Sequence, residues 1–228
     1  PAWPSGWHGS GEFRGNYGHQ NVSESSDPNS EYTQLLREAY AGCVSYMDAQ
    51  VGRVLAELAA QGLADNTVVV IWSDHGFLLG EHAIWGKHCL YEHALRSPLM
   101  IRYPGLPQPG QTSAATVETV DVFPTLADLC KLPAPADLDG HSLRPQLEDP
   151  QASASKPAVS FWSGGKRTVR NDRFRLIAHP QGQAIGVELF DYQQDGDETR
   201  NVAELHPQVV QQLSKQLEAT PQPFSKSR

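Results

Sequence analysis

Between Glu31 and Leu63 the apolar residues Leu36, Tyr40, Cys43, Val44, Met47, Val51, Val54, Leu55 and Leu58 recur every three or four positions. That period predicts an amphipathic helix of roughly eight turns, ending near Gly62. Asp65 and Asn66 then turn the chain into a continuous apolar, β-branched run from Thr67 to Trp72, the pattern of a strand buried on both faces. Helix, turn and strand make half of an α/β crossover. The run stops abruptly at Ser73, Asp74, His75 and Gly76. A carboxylate and an imidazole thus fall at a strand end, where open α/β sheets bind ligands. The competing reading is a turn cap beside a surface histidine.

A second short strand is predicted over Pro98 to Tyr103, closed by Pro104 and Gly105. Val117 to Val120 leads to Asp121, a candidate N-cap for the helix VFPTLADLC, and Leu132 to Leu143 reads as loop. The polar stretch from residue 148 to 157 marks a subdomain boundary, dividing the chain into 1–150 and 151–228. Beyond it, Ala158–Trp162, Arg167–Asn171, Phe174–Ala178 and Val187–Phe190 are short strands of an antiparallel meander. A helix from Pro207 to Leu217 should cover one face with Val209, Val210, Leu213 and Leu217. The expected fold class is therefore α/β: a mixed sheet flanked by helices, plus a small C-terminal antiparallel sheet with one helix. The first thirty residues show no period; Trp3, Trp7, His8, Tyr17 and His19 could line a sugar pocket or pack on one another.

Composition narrows the function. The 228 residues are 39% hydrophobic, with a formal net charge of −8 and a pI near 5.5. This is a globular composition without the basic surface that nucleic acid or an anionic membrane demands. No run approaches the ~20 apolar residues of a membrane span. The chain opens at Pro1 rather than methionine, which reads as a piece of a longer or processed polypeptide. Cys43, Cys89 and Cys130 form no C-x-x-C pair and are expected to be free, mostly buried thiols rather than a zinc site. Nucleophile-elbow, P-loop and dinucleotide fingerprints are missing from the sequence.

Chemistry gathers after the first strand. Asp74 and His75 would face opposite sides of a regular strand, so only a turn, for which Gly76 supplies freedom, can aim both at one ion. A hard cation would want mostly oxygen ligands and zinc more imidazoles, so further ligands must come from elsewhere. Lys87 lies thirteen residues past Asp74, after glycines that let the chain fold back. Its ammonium could meet an anionic substrate, although most lysines are simply solvated. His82, His88 and His93 fit no zinc spacing and are read as hydrogen-bonding or loop-packing groups. Glu92 and Arg96 are spaced for a helical ion pair, with a substrate contact as the second reading of Arg96.

The string SDHGFLLGEHAIWGKH resembles the C-terminal half of the sulfatases of the alkaline-phosphatase-like superfamily, in particular the iduronate-2-sulfatase branch and its bacterial relatives. The resemblance extends through YAGCVSYMDAQVGRVLAEL, GLADNTVVVIWSDHG, YEHALRSPLMIRYPG, VDVFPTLADL, GHSLRPQL and RTVRNDRFRLI to ELFDYQQDGDETRNVA. It implies a formylglycine-dependent hydrolysis of a sulfated carbohydrate, with one Ca²⁺ held in part by Asp74 and His75. It also implies that Lys87 contacts the sulfate, with His82, Trp85, His88 and Arg96 as further candidate substrate contacts. The formylglycine motif, Cys or Ser followed by x-Pro-x-Arg, does not occur in this sequence, nor do the family's early acidic pair and upstream pocket residues. The resemblance therefore implies a partner in the N-terminal half of a sulfatase, and inactivity of this chain alone. It implies a periplasmic, secreted or lysosomal location. A phosphodiesterase or phosphonate hydrolase of the same superfamily, or a non-catalytic scaffold derived from it, are the alternatives.

Overall fold

The computed structural model describes residues 30–154, 156–181 and 184–220; the aromatic N-terminal segment lies outside them. The described chain forms two compact units, one from residues 30–88 with His93–Pro104, the other from Cys89–Glu92 with residues 105–220.

In the first unit, α1 runs from Glu31 to Ala60. The Ser30 hydroxyl caps it by accepting from the Thr33 amide at 3.1 Å, and Glu31 sits favourably at the positive end of the helix dipole. It stops where Gly62 takes a left-handed φ of 67° that other residues resist. The helix forms as its period predicts, but its apolar stripe is only partly buried. Leu36 packs against Trp85 and Tyr40 stacks on Phe77 at 5.3 Å, whereas Cys43, Val44, Met47, Val54 and Leu55 are exposed. Among the described residues, nothing is laid over that half of the stripe.

Strand β1, Val69–Trp72, pairs antiparallel with β4, Leu99–Arg102, and Trp72 is 48% exposed. Burial on both faces is thus not realised among the described residues, where β1 and β4 form a two-stranded sheet joined by no further strand. Between them, β2 (Leu78–Leu79) and β3 (Trp85–Gly86) form a short hairpin with Gly80 at its turn, φ 107°. A single helical turn, α2, spans Glu92–Leu95.

In the second unit, α3 (Val122–Leu129) follows a 3-10 turn at Thr119–Asp121, and α4 spans Arg144–Glu148. Asp121 does not cap α3 with its side chain. Instead its buried carboxylate accepts from the amides of Glu118 (2.8 Å) and His141 (2.9 Å), tying the loop back to the turn. The meander is realised as β5 (Ala158–Trp162), β6 (Lys166–Arg170), β7 (Phe174–Gln181) and β8 (Ala184–Asp191), each antiparallel to the next. Helix α5, Pro207–Ala219, covers one face: Leu213 and Leu217 join Val169, Phe174, Leu176, Ala178 and Leu189 in the core. β7 is an inner strand, so its residues are buried on both faces from Phe174 to Ala178, and Arg175 points away from α5.

Candidate active site

Asp74, His75 and Gly76 form the turn that leaves β1. The chain here is pinned from the other side by Pro98, just before β4, and by α2: the Ser73 amide donates to the Pro98 carbonyl at 3.2 Å, and the Gly76 amide to that of Ala94 at 2.8 Å. Gly76 is required for close approach rather than for a positive φ. A Cβ on it would lie 2.1 Å from the His93 carbonyl oxygen and 2.9 Å from that of Arg96.

The turn aims both side chains at one place. His75 Nε2 lies 3.1 Å from Asp74 Oδ2, while Asp74 Oδ1 accepts from the His75 amide at 3.0 Å. His75 Nδ1 is 2.7 Å from the Gly76 carbonyl oxygen, which can only accept, so Nδ1 carries a proton. Nε2 is buried and makes no hydrogen bond. An imidazole lone pair and a carboxylate oxygen side by side are two acceptors, reconciled only by a shared cation or a second ring proton. The pair therefore fits a metal ion, and the exposed Asp74 carboxylate leaves the approach open. Among the described residues, no group of three or more His, Cys, Asp or Glu could hold one alone.

The β2–β3 hairpin follows this turn. Leu78 faces Gly86 in the ladder, and half-buried Lys87 comes directly after Gly86 in the chain. Glycines at 80 and 86, both at positive φ, permit the reversal. His82 occupies the hairpin tip in a left-handed conformation, φ 53°, and His88 is exposed. Trp85 is 1% exposed and packs on Leu36 and Leu79, so it serves the core of this unit. Arg96 is exposed.

The helical ion pair expected between Glu92 and Arg96 does not form. The carboxylate of Glu92 is taken instead by Arg175 Nη2, by Arg170 Nε at 3.3 Å and by the Tyr192 hydroxyl at 3.3 Å. Burial opposes its ionisation, yet the charges and hydrogen bonds of Arg175, Arg170 and Tyr192 outweigh it and hold the carboxyl below its ordinary value. Glu198, fully buried, forms an ion pair with Arg175 (Nε to Oε1, 2.8 Å) and accepts from the Tyr192 hydroxyl at 2.5 Å and from the Glu92 amide at 2.6 Å, while Arg175 Nε donates to the Tyr192 hydroxyl at 2.8 Å. Arg170 also stacks over the Tyr192 ring, 4.1 Å from its centroid. The sequence signal for this cluster was Arg175 itself, a charge set within the apolar run from Phe174 to Ala178.

All three cysteines are free; contrary to expectation, Cys43 and Cys130 are exposed. Their flanks explain this, since Cys43 lies on the uncovered face of α1 and Cys130 caps the end of α3. Burial pushes the Cys89 thiol up to about 11, which keeps it protonated and unreactive near neutral pH.

Residues 5–132 match the family model for sulfatases, and residues 80–222 the model for the C-terminal part of N-sulphoglucosamine sulphohydrolase. An N-acetylglucosamine-6-O-sulfatase of Bacteroides thetaiotaomicron is 42% identical over 183 residues, which cover 75% of this chain and 32% of that protein. A solved structure in complex with its substrate, D-glucosamine-2-N,6-O-disulfate, superposes with a TM-score of 0.70 at 32% identity, over 77% of this chain and 38% of that one. A phosphonate monoester hydrolase from Silicibacter pomeroyi does so with a TM-score of 0.73 at 32% identity, over 84% and 42%. The chain spans about a third of the length of the curated relatives it matches. The architecture is that of the alkaline-phosphatase-like fold, and by the extent of both family models the chain belongs to the sulfatase family.

Proposed function

We propose that the complete polypeptide carrying this chain is a formylglycine-dependent sulfuric-ester hydrolase acting on a sulfated carbohydrate. This chain supplies Asp74, His75 and Lys87 to a site completed by an N-terminal half. The observation that supports the reading is the turn after β1, where His75 Nε2 and Asp74 Oδ2 converge to 3.1 Å. The sulfated saccharide follows from the relatives, one named for N-acetylglucosamine 6-O-sulfate chemistry and one bound to a disulfated glucosamine. No cysteine here is followed by x-Pro-x-Arg, so the nucleophile comes from outside the chain.

Asp74 and His75 would hold one Ca²⁺ together with oxygen ligands from the other half; bound there, it supplies Lewis-acid polarisation of the sulfate. Gly76 fixes the imidazole through its carbonyl, leaving Nε2 as the ligating atom. The Lys87 ammonium stabilises the ester oxygen as negative charge develops on it during S–O cleavage. His82, His88 and Arg96 remain candidate contacts to the sugar.

The test is sulfate release by the complete enzyme from a sulfated glucosamine. Lys87→Ala should lower turnover by at least ~100-fold, the scale of a lost electrostatic stabiliser; near-normal release would sink the assignment. A second reading, hydrolysis of phosphonate monoesters, is favoured by the Silicibacter pomeroyi neighbour. It would win if the wild-type enzyme cleaved an aryl phosphonate monoester far faster than any sulfate ester.

A further inference from the structure

Within the first unit, α1 meets the segment that follows the Asp74–His75 turn at three places. Tyr40 stacks on Phe77 at 5.3 Å, Leu36 packs on Trp85, and Arg37 Nε donates to the Leu79 carbonyl at 3.1 Å. Leu36 and Tyr40 stand four apart with Arg37 between them, so this stretch of α1 faces the β2–β3 hairpin. Helix and hairpin belong to the same unit, although 42 residues of chain separate Arg37 from Leu79.

The hairpin needs such an anchor. Its ladder consists of Leu78 opposite Gly86 and Leu79 opposite Trp85, and a lone hairpin is marginal at best in water. The Gly80 amide closes the tip by donating to the Ile84 carbonyl at 3.0 Å. Hydrogen-bonded and non-hydrogen-bonded pairs alternate along an antiparallel ladder. The next pair, Leu79 with Trp85, is therefore of the second kind, and the amide and carbonyl of Leu79 both point away from β3. Main-chain groups sheltered from water must find partners, and these do: the Glu81 carboxylate accepts from the amide at 2.5 Å, and Arg37 donates to the carbonyl. The tip itself is strained. His82 holds φ 53°, a left-handed conformation that a non-glycine residue keeps when its surroundings impose it.

We propose that Arg37 is a positioning residue for Lys87: by holding the Leu79 carbonyl it fixes the β2–β3 hairpin on α1, and with it the point at which the chain passes from Trp85 and Gly86 into Lys87. This rests on the reading of Lys87 as the group that stabilises the departing ester oxygen. Arg37 acts through β2 and its ladder to β3, not on the reacting atoms. A guanidinium suits the task, because a charged donor makes a stronger hydrogen bond than a neutral one and its planar head loses little freedom in doing so.

Two substrates of the complete enzyme separate positioning from mere support of the fold. A sulfated glucosamine must expel a poor alkoxide, whereas nitrophenyl sulfate expels a stable phenolate that needs little help from an ammonium. Lys87→Ala is the control and should lose far more turnover on the sugar sulfate. Arg37→Met should lower kcat about 10-fold on the sugar sulfate and at most ~2-fold on nitrophenyl sulfate, the pattern of a slightly misplaced Lys87. Arg37→Gln carries an amide N–H as many bonds from the backbone as Nε and should recover most of that loss. Arg37→Ala, a strong helix former without the donor, should behave as Arg37→Met does and decides the matter if Arg37→Met does not fold. If Lys87→Ala loses nothing, or loses equally on both substrates, the reading of Lys87 fails and the proposal with it. If Lys87→Ala is selective while the folded Arg37 variants lose nothing, lose equally on both substrates, or are not rescued by Arg37→Gln, the proposal alone is overturned.

Discussion

The Glu92 backbone amide donates to the Glu198 carboxylate at 2.6 Å, across 106 residues of sequence. Arg175 sits between the two glutamates, bonded to both and 3% exposed. Removing one member of such a cluster strands its partner's charge in a dry environment. Glu198→Gln should therefore cost about 3–5 kcal/mol of folding stability. The pair Arg175→Met with Glu198→Leu should cost less than the sum of its single changes, because no buried charge is left uncompensated. Urea denaturation of the four proteins measures the coupling, and strict additivity would show that the cluster is not coupled.

Acid should dissolve the same cluster. Glu92 is held below its ordinary value by Arg175 and Arg170 against the opposing effect of burial. Outside that cluster, Asp191 is held low by the hydrogen bonds of Arg173, at 2.9 and 2.7 Å, and adds to the same acid limb. A carboxyl depressed in the folded state stabilises fully above its unfolded value and loses that contribution as pH falls through its folded one. The unfolded values are 4.5 for Glu and 3.8 for Asp. Urea midpoints should thus be flat from neutrality down to about pH 5 and fall steeply below about pH 4. Glu92→Gln should start from a lower midpoint and show a shallower acid limb; an unchanged acid limb would remove Glu92 from the account.

The elements formed within short range were legible in the sequence. The helix from Glu31, the strands at Ala158–Trp162 and Leu99–Arg102, and the inward residues Leu213 and Leu217 follow from period and turn chemistry that the backbone satisfies locally. The Asp74–His75 turn was legible for the same reason. Three things were not. The pairing partner of β1 depends on residues thirty positions away, and its apolar run does not say that β4 lies antiparallel to it. The role of Gly76 is set by where the His93 carbonyl lands, a tertiary fact. Glu92 has a basic residue at helical spacing in Arg96, but Arg175, 83 residues on, wins because it is buried and can answer a buried carboxylate at full strength.

Gly76 offers a direct check on the turn. A methyl group there would overlap the His93 carbonyl oxygen at 2.1 Å, and neither backbone can retreat without opening the Gly76–Ala94 hydrogen bond. Because φ at this position is not in the left-handed region, strain in the backbone angle is not the issue. Gly76→Ala should destabilise the complete enzyme by roughly 1–3 kcal/mol, as overpacking does, and should lower sulfate release disproportionately at temperatures where it is still folded. Gly62→Ala, at a helix end with open space around it, is the contrast. It should reduce stability modestly and leave turnover per folded molecule unchanged.

The chain on its own should behave as half a site and half a core. Val44, Met47 and Val54 on α1 and Trp72 on β1 are 45%, 51%, 69% and 48% exposed, large apolar side chains of the kind that invite association. The purified 228-residue chain should bind a hydrophobic dye such as ANS and associate at micromolar concentration, and mixing with the N-terminal half of the same enzyme should suppress both. It should release no sulfate from an aryl or sugar sulfate, and its Ca²⁺ affinity should be weak, since Asp74 and His75 are the only ligands it brings to the ion on the proposed scheme. Robust turnover, or tight stoichiometric Ca²⁺ binding abolished by Asp74→Ala, would show that the chain holds a complete site.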